Sequence, residues 1–248
     1  MFFCYNDGNR KKSEERFMRM RKKPNLVPRM EACADWWIRD PLEYRGKWRS
    51  LMPDARELRV EVGCGKGGFT VKTAAAEPDI LLIAIEICSD AMVVGMEKAK
   101  ELGLKNVFFV AMDVARIAEF FEPDEADRLY INFCDPWPRK KNAKRRLTFH
   151  TFLAQYRTIL KAGGEIHFKT DNAPLFEWSL EHFAEHGYEV RNVTRDLHAN
   201  GITGIMTDYE AKFHELGTPI NRCEIVIGEK TKAEALASAF SYFHSFSG

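Results

Sequence analysis

From residue 58 onward the chain alternates short apolar runs with longer amphipathic stretches, and this alternation limits the possible folds more than any other feature. The runs cover residues 58–62, 80–85, 107–110, 129–133, 164–168, 189–193 and 224–227. Between the first five lie amphipathic segments of roughly 10–18 residues, too long for hairpin turns and long enough for a crossover helix. Strands alternating with helices build βαβ units. The expected fold is therefore α/β: a mostly parallel sheet with helices on both faces, forming one domain over residues 25–248. In such sheets ligands bind beyond the carboxyl ends of the strands, where the strand order reverses. The residues that follow the first five strands are Gly63 to Gly68, Glu86, Asp113, Asp135, and Thr170 with Asp171. Acidic side chains thus recur along one end of the sheet.

The formal net charge of the 248 residues is only +1, so a nucleic-acid partner has to be argued from local clustering. Such a cluster exists: six of the eight residues from Arg139 to Arg146 are Lys or Arg. Residues 1–24 are also basic, with Arg10, Lys11, Lys12, Arg16, Arg19, Arg21, Lys22 and Lys23 against Glu14 and Glu15. They read as a mobile polar tail or as a second basic contact for nucleic acid. Cys4, Cys33, Cys64, Cys88, Cys134 and Cys223 are scattered without a C-x-x-C pair, which argues against a zinc site or disulfide framework and suits the reducing cytoplasm. No apolar run approaches ~18 residues, so no membrane span is expected. The N-terminus lacks the apolar core of a secretory signal.

Glu61-Val-Gly-Cys-Gly-Lys-Gly-Gly68 follows the first of these strands and opens a helix. Gly63, Gly65 and Gly67 let the backbone turn tightly and come close to a ligand. The spacing of Gly63, Gly65 and Gly68, with Glu86 about 20 residues on, also fits a dinucleotide fingerprint. Glu61 weighs against that reading, because a carboxylate at the strand end would repel a pyrophosphate. It suits a ligand with a cationic group, and S-adenosylmethionine carries an ammonium, a sulfonium and no phosphate. On this reading Glu86 takes the ribose hydroxyls and Asp113 the adenine amine. An accidental glycine turn with unrelated acids is the bland alternative, disfavoured by the recurrence of acids at successive strand ends.

Asp135-Pro-Trp-Pro138 follows the fourth strand. Pro136 and Pro138 fix φ and stiffen the loop, while Trp137 offers a flat face for a base. Asp135 can accept hydrogen bonds from guanine N1–H and its amino group, or from an adenine or cytosine amine. The opposing reading, a capping turn with Trp137 in the core, leaves the basic run that follows unexplained. Cations directly after a ligand-facing strand end fit phosphate contact better than a merely solvated face. Asp171 is placed to reach substrate from across the cleft, to cap the next helix, or both. Thr207 and Glu210 have the spacing of a capping box, and both side chains are also candidates to reach a base. His182-Phe-Ala-Glu-His186 matches a zinc-peptidase spacing, but the sequence offers no convincing third ligand there, and no metal is expected.

Together, Glu61-x-Gly-x-Gly-x-Gly, Asp135-Pro-Trp-Pro with its basic continuation, Phe168-Lys-Thr-Asp171 and Thr207-x-Tyr-Glu210 resemble the bacterial tRNA (guanine-N7-)-methyltransferases, the TrmB-like family. The resemblance runs in order from Met20 to Ile227. It implies a class I S-adenosylmethionine-dependent methyltransferase (Rossmann-like) fold, a seven-stranded sheet whose last strand is antiparallel. It implies S-adenosylmethionine as donor, S-adenosylhomocysteine as product, and N7 of guanosine 46 in the tRNA variable loop as acceptor. Carried over by motif position, Glu61, Gly63, Gly65, Gly67, Glu86, Asp113 and Asp135 bind the donor, and Asp135 is the catalytic residue. Arg139, Asp171, Thr207, Tyr209 and Glu210 contact substrate, and Lys141, Lys144, Arg145 and Arg146 contact RNA. The expected partner is tRNA, with the chain a cytoplasmic monomer or homodimer. Two departures stand out. Asn142 occupies the place where the family commonly has His, and residues 1–17 precede the usual start, which makes Met18 or Met20 the expected first residue. Three rival readings remain at this point: a methyltransferase for an exocyclic amine, a nicotinamide-dependent oxidoreductase, and an RNA-binding module without chemistry.

Overall fold

The computed structural model of the chain describes residues 24–229, so the basic segment 1–24 lies outside the described residues except for Pro24. All seven expected strands form. They are β2 (Glu57–Val62), β3 (Ile80–Ile85), β4 (Val107–Val110), β5 (Ala126–Asn132), β6 (Leu160–Thr170), β7 (Glu189–Thr194) and β8 (Asn221–Val226). An eighth, β1 (Trp37–Ile38), pairs in parallel with Phe109 and Val110 at the sheet edge. Among the described residues the sheet is therefore eight-stranded rather than seven-stranded, in the order β1-β4-β3-β2-β5-β6-β8-β7. Two residues carry no periodicity, which is why β1 left no mark in the sequence. β8 runs antiparallel to both β6 and β7, as the resemblance implied for the last strand.

Every residue of β3 is buried, because helices cover both faces of the sheet and a central parallel strand has no solvent side. On one face Met30 of α1 (Leu26–Glu31), Phe69 and Val71 of α2 (Gly68–Ala76), and Met92 and Met96 of α3 (Ser89–Glu101) pack on Leu82, Ala84 and Phe109. On the other face Phe120 of α4 (Ile117–Phe120), Leu153 and Tyr156 of α5 (His150–Ile159), and Phe176 and Phe183 of α6 (Ala173–Glu185) pack with Val60, Ile83 and Ile131. Burying one such side chain contributes roughly 1.5–3 kcal/mol. These two apolar layers hold the sheet, which leaves the polar groups at the strand ends available for a ligand.

The strand order reverses at β2: β3 and β4 lie on one side of it, β5 and β6 on the other. The crevice at such a reversal lies between the loops that leave β2 and β5. Those are the glycine loop and the Asp135 loop. The last helix among the described residues, α7 (Asp208–Glu215), comes back over the glycine loop before the chain enters β8, and a Cβ added to Gly68 would meet the Asp208 carboxylate at 2.5 Å. Among the described residues no helix is long and apolar enough to cross a membrane.

Candidate active site

Gly63, Gly65 and Gly67 all adopt positive φ, at 72°, 56° and 68°, which side chains disfavour. Their reasons differ. A Cβ on Gly65 would meet nothing within 4 Å, so that position is open toward a ligand. A Cβ on Gly67 would sit 2.7 Å from the Cα of Gly95 in α3, so Gly67 serves helix packing. Glu86, just after β3, holds the loop: its carboxylate accepts from Gly65 N at 2.8 Å and from Cys88 N at 2.9 Å. Asp113 follows β4, is exposed, and accepts from Ala115 N at 2.9 Å.

Glu61 lies on β2 with almost no exposure and accepts a hydrogen bond from the Thr70 hydroxyl of α2 and one from Asn132 Nδ2 of β5 at 3.1 Å. Burial pushes its carboxyl up to about 7, against the pull of those two donors. Burial likewise raises Glu86, with the Asp135 charge adding to it, so the acids of the two loops feel one another. A cavity of about 230 Å³ opens beside Glu61, walled by the glycine loop, Asn132, Phe133, Thr207 and Tyr209. Glu86, Asp113 and Asp135 are outside its wall. Asn132 and Thr70 escaped the sequence reading. Their one signal is a polar residue on an otherwise apolar strand or inner helix face.

Asp135 is exposed as a residue, yet burial still raises its carboxyl above the ordinary range. Beside it, Phe133 N donates to Lys169 O of β6 at 2.9 Å, which brings Asp171, two residues past Lys169, to the same side of the crevice. Asp171 does not cap α6. That role falls to Asn172, which accepts from Leu175 N at 2.8 Å. The basic run forms a 3₁₀ turn, Lys140–Arg145, from which Arg139, Lys141, Lys144 and Arg145 face solvent. The Arg145 guanidinium covers one face of Trp137 at 4.7 Å, so only the other face of that ring remains for a base.

Two of the residues expected to contact RNA or substrate are turned inward. Arg146 is 8 % exposed and turned inward, where its Nε donates to Pro136 O and its second terminal nitrogen to Trp137 O, each at 3.1 Å. It is not part of the solvent-facing basic surface. Glu210 is 0 % exposed, and its carboxylate is engaged by Lys169 Nζ at 3.2 Å, His198 Nε2 at 2.9 Å and Thr207 N at 3.1 Å. It completes the expected capping box and anchors α7. Thr207 is buried on the cavity wall, its hydroxyl accepting from Glu210 N at 2.8 Å. Tyr209 is 55 % exposed, its ring 6.4 Å from Phe133, and is the member of this motif presented to the crevice.

A family model described as a putative methyltransferase matches residues 55–223. The chain is 43 % identical over 209 residues to the tRNA (guanine-N(7)-)-methyltransferase of Bacillus subtilis (strain 168), covering 84 % of this chain and 98 % of that protein. It is 42 % identical over 208 residues to the enzyme of the same name from Streptococcus pneumoniae (strain Hungary19A-6), covering 84 % and 99 %. The chain belongs to the tRNA (guanine-N(7)-)-methyltransferase family. Among solved structures it resembles the 16S rRNA methyltransferase KamB, with a TM-score of 0.57 at 15 % identity over 74 % of this chain and 94 % of that one. It also resembles NSun6 from Pyrococcus horikoshii, with a TM-score of 0.54 at 18 % identity over 74 % and 51 %. At those identities the likeness establishes the class I methyltransferase fold alone.

This member of the methyltransferase family also gathers three imidazoles away from the crevice. His150 joins His182 and His186, each offering a ring nitrogen within 4.8 Å of the others, so the third imidazole absent from the H-x-x-E-H spacing comes from α5. Two of these rings already carry a hydrogen bond. His182 Nε2 accepts the backbone N–H of His150 at 3.0 Å and so caps the first turn of α5 from outside, while His186 Nδ1 lies 2.8 Å from His182 O. Burial holds His182 below the ordinary histidine value of 6.5, and repulsion from His186 and His150 adds to it. The unfolded chain then binds the proton more tightly. The stabilisation is fully present above pH 6.5 and is lost as pH falls from there through the lowered native value. The thermal midpoint is expected to drop between about pH 7.5 and 5.5, and H182A to start lower and drop less over that interval. Equal slopes in thermal melts would remove His182 from the account.

Proposed function

We infer that the chain transfers the methyl group of S-adenosylmethionine to N7 of a guanosine in tRNA, forming 7-methylguanosine, with guanosine 46 of the variable loop as the acceptor. The match to enzymes of that name along nearly their whole length carries this reading. The site fits the donor. Glu61 and Glu86 give the glycine-loop end of the crevice an acidic lining that suits an ammonium and disfavours a pyrophosphate. Asn132 Oδ1 is buried beside Glu61 without a hydrogen-bond partner, an acceptor waiting for a donor group. Gly65 leaves the space a side chain would fill. When bound, S-adenosylmethionine supplies a methyl on a positively charged sulfur.

The protein's own contribution is orientation and charge. Guanine N7 has a lone pair in the ring plane and needs no deprotonation, so the site needs no general base. Asp135 holds the guanine edge and stabilises the positive charge that the base acquires. Tyr209 and Asp171 border the same crevice from α7 and from the end of β6. Arg139, Lys141, Lys144 and Arg145 take the phosphates. The reading places the protein in the cytoplasm as a monomer or homodimer. An exocyclic-amine enzyme is the nearest rival, and the methylated nucleoside separates the two. Incubation with labelled donor and unmodified tRNA, followed by digestion, is expected to yield 7-methylguanosine. Label in N6-methyladenosine or in a methylcytidine would overturn the assignment.

The basic turn has its own test. Changing Lys141, Lys144 and Arg145 to Ala is expected to weaken tRNA binding and to flatten its log–log salt dependence by up to ~0.7–0.9 per lost phosphate contact. Donor affinity is expected to hold. A fall in donor affinity with an unchanged salt slope would show that these cations serve the other substrate.

A further inference from the structure

We propose that Arg146 is a positioning residue for methyl transfer, fixing the Asp135 loop from beneath rather than binding RNA. The proposal rests on the methyl-transfer reading above. Three features of the loop require an outside support. Pro136 and Pro138 have no N–H, so the segment lacks donors to bond itself into shape. Trp137 sits at φ 41°, and Phe133, just before the loop, at φ 52°; both are left-handed values that non-glycine residues adopt only when held there. The carbonyls of Pro136 and Trp137 point to a donor outside the Asp135-Pro-Trp-Pro138 segment.

That donor is the Arg146 guanidinium. It donates to both carbonyls at 3.1 Å, a two-pronged contact across consecutive peptides that a lysine ammonium cannot reproduce. Its flat face rests 4.2 Å from the centre of the Trp178 ring on α6, and Trp178 in turn lies against His182 at 4.6 Å. The loop is thus backed, through one guanidinium, by a packed helix. Among the described residues Arg146 has no carboxylate partner. Two carbonyls and a ring face are what compensate its buried charge. Its neighbours Lys144 and Arg145 face solvent, so one basic run divides between two tasks: the 3₁₀ turn presents cations outward, and its last residue turns in.

The test separates the two tasks. Single-turnover methyl transfer at saturating tRNA and donor is expected to fall ~100-fold in R146A, the size of effect that about 1 Å of misplacement produces. R146K, which keeps the charge and loses the fork, is expected to fall in the same direction. The tRNA dissociation constant and its salt slope are expected to stay at the wild-type values in both, and millimolar methylguanidine to restore part of the R146A rate. Trp178→Leu, which removes the backing and leaves the guanidinium, is expected to lower the rate without touching the salt slope. Should thermal melting show R146A unfolded, R146K and Trp178→Leu carry the comparison. A loss of ~0.7–0.9 in salt slope with an unchanged single-turnover rate would overturn the proposal and return Arg146 to the phosphate-binding set. Failure of the wild-type chain to form 7-methylguanosine would instead sink the methyl-transfer reading itself.

Discussion

Asp135→Asn is expected to lower the single-turnover rate of methyl transfer by ~10²–10³-fold, the cost of removing one preorganised charge from a site where charge develops. The wild-type rate, measured at saturating donor, is expected to be flat from about pH 6.5 to 9, because N7 attacks through a lone pair that is free at every pH in that range. Positive charge leaves sulfur and arrives on the base, so an anion beside the base gains interaction energy as the reaction proceeds. A neutral amide keeps the hydrogen bonds to the guanine edge in part and loses that gain. Asp135 sits where this is feasible: after β5, at the reversal in strand order, close enough to Glu86 for its charge to raise that carboxyl. A clear titration with a midpoint between about 7 and 9 in the wild-type single-turnover profile would require a base and would refute the electrostatic role.

Donor affinity should behave in the opposite way, falling steeply in mild acid. The Glu61 carboxyl of the free protein is pushed up to about 7 by complete burial. Protonated, it offers a cationic ligand nothing, so binding the donor must expel that proton. The dissociation constant is expected to rise by up to about tenfold per pH unit below pH 7 and to level off above it. Glu61→Gln removes that dependence and weakens donor binding by ~10²-fold or more, as expected when one partner of a buried charge pair is lost. The same substitution should stabilise the donor-free protein in alkali. A raised carboxyl favours the folded state at pH below 4.5, and that advantage is lost as pH rises through about 7. Wild type therefore gives up a few kcal/mol above neutrality that the Gln variant keeps. Titration calorimetry of donor binding and thermal melts over one pH series test both halves. A pH-independent wild-type affinity would place the donor's cationic group elsewhere.

The seven long strands were legible because a strand buried on both faces must be an unbroken apolar run, and residues 80–85 are such a run. The acids and glycines of the crevice were legible because the fold class itself designates the carboxyl ends of strands. What escaped was whatever depends on which side chains meet across strands or helices. Asn132 reaches Glu61 because β5 lies beside β2, and Thr70 reaches it because the first turn of α2 stacks over the same strand. Neither pairing has a local pattern. The inward turn of Arg146 left no mark because a run of cations has no period to show that the last of them folds in after a 3₁₀ turn. Glu210 was half legible. Its capping box is local, but its burial comes from Lys169, 41 residues earlier in the chain. His150 meets His182 across 32 residues, so the H-x-x-E-H spacing alone hid the third ring.

The helix over the glycine loop is fastened unequally. At its buried inner side Glu210 is locked by Lys169 and His198. At its outer side Asp208 meets Lys72 at 3.2 Å and Lys98 at 3.5 Å, all three side chains about half exposed. Pairs of the second kind are worth ~0–1 kcal/mol each, while a buried network resists far more. α7 is thus a flap riveted along one margin and lightly pinned along the other.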